Sequence, residues 1–286
     1  MIAFFFFIFI YNNYLKKNIN KLKKIGITGS TGLLGKLLTK ELRNKNIKYS
    51  VFKGDINKNK DIRAWFNRSK NIEYIFHFAA HSSASGSEIN KKKVYKLNVR
   101  GVENLIFEMN KIKRKFFLFF PSTSHVYKYS KKPLNEKSKL KPNSYYGKTK
   151  LIAEEKIILN KNKNFNYLIA RIFSVFHKNQ KKPFLYASIR DRMKNNSIKK
   201  IYIKNANCIR DFLNAEKVVE IIYQIYRKKL MGVFNIGSGE GISIKDFIYK
   251  EITNKKEVVS DKKVDYLVAN IDKLKKQLIQ NKSKLK

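Results

Sequence analysis

Residues 24–38 read KIGITGSTGLLGKLL, and the fold turns on how they are read. Ile25 and Ile27 alternate as in a short buried strand, Gly29, Gly32 and Gly35 recur at three-residue intervals, and Leu34, Leu37 and Leu38 open a helical period. Strand, glycine turn and helix in that order suit a dinucleotide. Glycine permits the tight turn, lets backbone N–H groups approach a pyrophosphate, and lets the helix pack closely on the strand. The helix N-terminus then faces the anion with unpaired donors and the positive end of its dipole.

Outward from this unit, strands and helices alternate. Ile47 to Phe52 reads as a short second strand, followed at once by Gly54, Asp55 and Ile56. In dinucleotide folds an acidic residue about 20 residues past the glycines takes the adenosine ribose. Asp55 stands at about that distance but could instead reach the adenine, and Lys53 lies beside it, so NAD and NADP both stay open. Ile72 to Ala80 is a nearly continuous apolar run, as expected of a central parallel strand covered on both faces, and its closing Ala79 and Ala80 would let a cofactor lie against the backbone.

Lys93 to Phe107 reads as a helix with Val94, Leu97, Val102, Leu105 and Ile106 on its buried stripe. Phe116 to Phe120 is the next strand, stopped by Pro121; a helix from about Tyr146 to Leu159 leads to a further strand at Phe165 to Arg171. The spacing predicts an α/β fold, a doubly wound parallel sheet of Rossmann type with right-handed crossovers and ligands at the C-terminal ends of its strands.

From Phe184 the pattern changes to a helix near Leu185 to Met193, a strand at Lys200 to Ile203, IRDF at 209–212, a helix at Ala215 to Arg227 and GVFNIGSG at 232–239. This predicts a smaller C-terminal α/β substrate lobe, close to the first because no linker rich in Pro, Gly or Ser intervenes. The expected division is an extension at 1–22, a nucleotide-binding domain at 23–173, and a substrate lobe at 174–286, with parts of 205–235 returning to the first domain. After Ser260 the chain is rich in Lys, with one short apolar helix around Ile271 to Leu278.

The 286 residues can bury a full core. Their 63 Lys and Arg against 21 Asp and Glu give a formal charge of +42, enough to raise the question of nucleic acid. The basic residues are scattered through nearly every loop and helix instead of gathered in one segment. That favours a solvated basic surface that draws in anionic substrates, with no specific nucleic-acid partner. A single cysteine, Cys208, excludes an internal disulfide and any multi-cysteine metal site, and four scattered histidines offer no metal constellation.

Residues 1–11, MIAFFFFIFIY, are almost wholly apolar and are followed by Asn and Lys. As a helix they would cover about 16 Å of a hydrocarbon layer about 30 Å thick, too little to span it. They also lack the leading charge and cleavage site of a secretory signal, and a cytoplasmic location is expected. Three readings fit, in descending order: a dispensable extension, an interfacial anchor giving weak membrane association, or a core strand.

The chemistry is expected after the strand at Phe116 to Phe120. It delivers Pro-Ser-Thr-Ser-His-Val-Tyr at 121–127, and the next helix opens with Tyr145-Tyr-Gly-Lys-Thr-Lys150. Tyr146 and Lys150, four apart, share a helix face. A phenol of ordinary pKa about 10 is a poor acid or base at pH 7, but a nearby ammonium and a cationic nicotinamide favour its phenolate and would suit it to move a proton at a carbinol oxygen. Hydroxyls of Ser122, Thr123 or Ser124 could bond the same oxygen.

Taken in order, TGSTGLLG (28–35), GDI (54–56), FHFAA (76–80), LNVRGVENL (97–105), STSHVY (122–127), YYGKTK (145–150), RIF (171–173), RDF (210–212) and VFNIGSG (233–239) resemble the extended short-chain dehydrogenase/reductases, the NAD-dependent epimerase/dehydratase family of nucleotide-sugar enzymes. The resemblance implies NAD or NADP as cofactor, a nucleoside-diphosphate sugar as substrate, a homodimer, and a place in polysaccharide biosynthesis. It implies that Gly29, Thr31, Gly32, Leu33 and Gly35 form the pyrophosphate turn, that Asp55 and Ile56 meet the adenine, and that Phe78, Ala79, Ala80, Asn98 and Phe173 line the cofactor.

It also makes Tyr146 the catalytic acid/base, Lys150 the ribose ligand that tunes it, and Thr123, three residues before Val126, the catalytic hydroxyl. Ser82, Ser124, Ser174 and Arg210 would meet the substrate, Arg210 at the diphosphate. Within the family, the stretches AAHSSASGSE, RIF and IRDF through VFNIGSG look most similar to GDP-4-keto-6-deoxymannose reductases. The expected reaction is reduction at C4 of a 4-keto-6-deoxy sugar, with 4-epimerisation as the alternative. Dehydration ranks lower because His125 stands where dehydratases carry an acid. Outside enzymes, a non-catalytic anion binder is the remaining reading. Ser174, His177 and Lys178 depart from the family's usual residues after the RIF strand.

Overall fold

The computed structural model describes residues 24–82, 88, 90–193, 199–252 and 256–280, so the expectations for 1–22 lie outside the described residues. The chain opens with β1 (Lys24–Thr28), α1 (Leu33–Asn44), β2 (Tyr49–Val51), α2 (Asn59–Arg68) and β3 (Ile72–His77). A long helical stretch follows: α3 (Lys91–Tyr95), a π-helical turn at Lys96–Arg100 and α4 (Gly101–Asn110). Then come β4 (Phe116–Thr123), a 3₁₀ turn at Ser124–Val126, α5 (Tyr145–Leu159), β5 (Phe165–Ile172) and β6 (Ser174–Phe176). The remainder contains α6 (Leu185–Met193), β7 (Lys200–Tyr202), β8 (Ile209–Arg210), β9 (Phe212–Asn214), α7 (Ala215–Arg227) and β10 (Gly232–Ile236). Last are β11 (Ile242–Ser243), α8 (Ile244–Glu251), β12 (Glu257–Val259), β13 (Tyr266–Leu267) and α9 (Asp272–Gln280).

Six parallel strands form the main sheet in the order β10-β5-β4-β3-β1-β2. The chain steps outward from β1 to β2 and then returns across β1 to β3, so the strand order reverses between β1 and β3. A crevice opens at such a switch point, outside the C-terminal ends of the strands. Apolar side chains cover both faces. On one, Ile25, Ile27, Phe76, Phe119 and Leu168 pack with Leu38 of α1 and Ile222 of α7. On the other, Ile75, Leu118, Phe120 and Ile169 pack with Trp65 of α2, Leu105 of α4 and Ile157 of α5. Two covered faces explain why these strands are apolar throughout instead of alternating.

The second lobe is built on small sheets: β11-β8-β13, β7 with β12, and β6 with β9. Ile189, Ile201, Ile203, Ile244, Ile248 and Val258 fill it. Between β9 and β10 the chain re-enters the main body, where α7 packs on the sheet and β10 pairs with β5.

Pro121 does not stop its strand. Pairing of β4 with β5 continues through Pro121↔Ala170 and Ser122↔Arg171 to Thr123↔Ile172, whereas pairing with β3 ends at Phe119. Among the described residues, one flank of β4 therefore lacks a strand partner from residue 120 onward, and a residue without an N–H is tolerated there. The second strand is shorter than expected, three residues at Tyr49–Val51, and β3 ends at His77, which leaves Ala79 and Ala80 in the loop beyond it.

Candidate active site

The glycines make a cradle against the end of β3. Gly29 has φ +68°, and a Cβ there would lie 2.4 Å from the Ala79 nitrogen and the Phe78 carbonyl carbon. A Cβ on Gly35 would lie 2.3 Å from the Gly29 oxygen, which is how closely the first turn of α1 sits on the loop. Gly32 caps α1, donating its N–H to the Gly29 carbonyl at 3.1 Å, with exposed Thr31 before it and Leu33 as the first helical residue. The Thr28 hydroxyl accepts the Ala79 N–H at 3.2 Å and bonds His77 Nδ1 at 2.9 Å, holding the two strand ends together. Backbone brought this close at a helix N-terminus fits a diphosphate.

Asp55 lies four residues past β2, at the entry to α2. Its Oδ1 accepts the Asn57 N–H at 2.9 Å and the Asn57 amide at 3.0 Å, and these bonds, helped by Lys58 and Lys96, hold its carboxyl below the usual range. Ile56 is buried against Gly101.

The hydroxyls stand at the end of β4, two strands from β1 in the sheet. β4 runs to Thr123, whose side chain accepts the His125 N–H at 3.2 Å and so starts the 3₁₀ turn. Ser144 caps α5 through the Gly147 N–H. Gly147 has no room for a side chain: a Cβ would sit 2.4 Å from the His125 carbonyl oxygen. This contact sets the first turn of α5 on the end of β4 and places the Tyr146 hydroxyl in a hydrogen bond with the Thr123 side chain.

Burial pushes the Tyr146 phenol up to about 12, with the Thr123 bond opposing. Lys150, 2% exposed, lies with Nζ 3.9 Å above the Phe120 ring. Burial lowers its pKa to about 7 against the pull of Glu154. Burial therefore keeps the phenol protonated at neutral pH; the lowering expected from Lys150 does not act on it, and that ammonium lies over the Phe120 ring instead. The His125 ring meets the Tyr146 ring edge-on at 6.2 Å, and burial, then Arg210, lower its pKa to about 4 against Asp265.

A sequence model of the NAD dependent epimerase/dehydratase family matches residues 25–237. The chain belongs to that family. It is 29% identical over 236 residues to the GDP-6-deoxy-D-talose 4-dehydrogenase of Aggregatibacter actinomycetemcomitans, covering 77% of this chain and 76% of that protein. Among solved structures it resembles the UDP-glucose 4-epimerase of Thermus thermophilus in complex with NAD, with TM-score 0.76, 17% identity and coverage of 88% and 92%. It also resembles RMD from Pseudomonas aeruginosa in complex with NADPH, with TM-score 0.78, 19% identity and coverage of 90% and 92%. As a member of the NAD-dependent epimerase/dehydratase family the protein is an NAD(P)-dependent enzyme with the fold of these neighbours.

The other family positions divide by what their side chains already do. Asn98, 1% exposed in the π turn, bonds the His81 N–H at 2.8 Å, the His81 carbonyl at 3.1 Å and Thr149 Oγ1 at 3.1 Å. It ties the loop after β3 to α5, and its side chain is fully engaged inside the protein. Arg210 forms an ion pair with Asp265 at 2.6 Å and lies over the Tyr129 ring. Phe173 is buried against Tyr127, Ser124 is buried in the 3₁₀ turn, Ser174 lies half-buried in β6, and Ser82 is exposed at the edge of residues 83–87, which lie outside the described residues.

Two buried groups were missed from sequence. Glu154 forms an ion pair with Arg171 at 2.7 Å and accepts the Ser122 hydroxyl, and Arg171 reaches Tyr127, whose hydroxyl bonds Asn235. Glu154 lies four residues past Lys150, so helical spacing alone would have put it on the same face. Asp211 accepts the Ser238 N–H at 2.7 Å, the Gly239 N–H at 2.9 Å and the Ala269 N–H at 3.2 Å. Its signal in the sequence was an acid beside Arg210 in the RDF motif, with nothing local to name its partners.

Proposed function

We propose that this enzyme reduces the C4 ketone of a nucleoside-diphosphate 4-keto-6-deoxyhexose. The observation that carries this reading is the Tyr146–Thr123 hydroxyl pair at the end of β4, two strands along the parallel sheet from β1 and its glycine cradle. A dinucleotide held at Gly29–Gly35 and by Lys150 would supply the hydride. Tyr146 is a phenol that keeps its proton at neutral pH, as a donor to a developing alkoxide needs. Thr123 would bond the same oxygen and fix its distance from the phenol. His125 is neutral at pH 7 and supplies no carboxylate for elimination, which supports reduction over dehydration. A relative named as a 4-dehydrogenase of a GDP-6-deoxyhexose adds support, since that reaction run backward reduces a 4-ketone.

On this reading Arg210 would exchange Asp265 for the substrate's diphosphate. The assembly expected is a homodimer in the cytoplasm, with residues 1–11 giving at most weak membrane association. A second reading, 4-epimerisation, is favoured by the likeness to a UDP-glucose 4-epimerase.

Incubation of the protein with nucleotide 4-keto-6-deoxy sugars and with 4-hydroxy sugars separates the two. Reduction consumes one NAD(P)H per product, whereas epimerised product with no net cofactor oxidation replaces the proposal by the second reading. Tyr146→Phe should cut turnover by about 10²–10⁴-fold with cofactor binding retained. Turnover within a few fold of the native protein would remove Tyr146 from the chemistry.

A further inference from the structure

The end of β2 carries a signal that the family assignment leaves unused. In parallel register Ile27 stands opposite Val51, and the Phe52 N–H extends the ladder to the Ile27 carbonyl at 2.9 Å. Lys53 is two residues past Val51, as Gly29 is two past Ile27, so Lys53 leaves the end of β2 beside the end of β1 from which the glycine cradle starts. This is where a dinucleotide fold meets the adenosine ribose, through an acid for the 2′-hydroxyl of NAD or a cation for the 2′-phosphate of NADP. No Asp or Glu occurs between Glu41 and Asp55.

Asp55 itself lies further on, turned back on Asn57 and flanked by Lys58 and Lys96. Phe52 is buried against Trp65, which leaves Lys53 as the first exposed side chain beyond the strand. A carboxylate on the ribose would repel a 2′-phosphate, whereas an exposed ammonium attracts it.

We propose that Lys53 binds the 2′-phosphate of the cofactor and that this enzyme prefers NADPH to NADH. The assignment rests on the dinucleotide reading of the glycine cradle and is independent of which sugar is reduced. It also explains why Asp55 can be spent on its own turn: at the ribose, the neighbouring Lys53 makes an acid unnecessary.

Isothermal titration of the full chain at about 0.15 M salt with NADPH, NADH, 2′,5′-ADP and ADP tests it without turnover. NADPH should bind at least about tenfold tighter than NADH, and 2′,5′-ADP tighter than ADP by a similar factor. Lys53→Ala should reduce both ratios about tenfold while leaving NADH unchanged. Lys48→Ala, at the opposite end of β2, removes the same charge and should leave both ratios as they were. Equal ratios in Lys53→Ala and the native protein overturn the assignment, as does tighter binding of NADH by the native protein. If Asp55 were the ribose ligand, Asp55→Asn would weaken NADH selectively and Lys53→Ala would change nothing, and that pair of results also overturns it. Failure of all four nucleotides to bind would remove the dinucleotide reading itself.

Discussion

Lys150 shows what burial does to a single ionisable residue. Its ammonium sits over the Phe120 ring in a nearly water-free place, and its pKa falls from 10.5 to about 7. In the unfolded chain the same group holds its proton to the ordinary value. Between the two values the unfolded state binds more protons, so this residue makes stability rise with pH from about 7 toward 10.5, and its penalty is fully present below about 7. Lys150→Met should therefore flatten the rise in melting temperature between about pH 7 and about pH 9.5, measured side by side with the native protein. An unchanged slope would mean that the ammonium is better solvated than its surroundings indicate. The same residue is a candidate ribose ligand; among the described residues its ammonium meets the Phe120 ring and the field of Glu154, and a ligand hydroxyl would add a hydrogen bond.

At the scale of an element, α5 is positioned by the absence of a side chain. Gly147 lets the helix start against the His125 carbonyl, and the Tyr146–Thr123 bond depends on that approach. Gly147→Ala must move the helix or the 3₁₀ turn, because the obstacle is backbone. The expected loss is about 1–3 kcal/mol of stability and, from a displaced phenol, about tenfold to a hundredfold in kcat. Urea denaturation and steady-state kinetics report the two separately, and a full-rate variant would show that the turn has slack. Tyr146 and Lys150 were legible as a pair because helical spacing is a local rule. That Gly147 is required between them was not legible, since the obstacle comes from a different element.

The whole molecule is joined at Asp211. This carboxylate, between β8 and β9 of the second lobe, gathers N–H groups from Ser238 and Gly239 after β10 and from Ala269 before α9. Its own backbone carbonyl accepts the Ser174 N–H at 2.9 Å, and its N–H meets the Leu267 carbonyl at 3.2 Å. One buried acid thus fastens the strands of the small sheets to the edge of the main sheet. Asp211→Asn turns one acceptor into a donor facing N–H groups and should cost about 3 kcal/mol, read as a lower urea midpoint. A variant as stable as the native chain would mean that the loops hold without it. The described residues contain no helix long and apolar enough to cross a membrane.

By itself the sequence determined the parallel sheet, its crossovers and the glycine turn, because period, strand length and turn chemistry are written over short stretches of chain. The Tyr-Lys spacing and the family motifs belong to the same local information. Tertiary structure alone decided where the charges go: Lys150 over Phe120, Glu154 beneath it on Arg171, Arg210 on Asp265, and Asn98 bound to the loop after β3. It also decided that β4 runs on past Pro121. Each of these depends on a partner at least 17 residues away or on the loss of water around a group, and neither is expressed in any local pattern of residues.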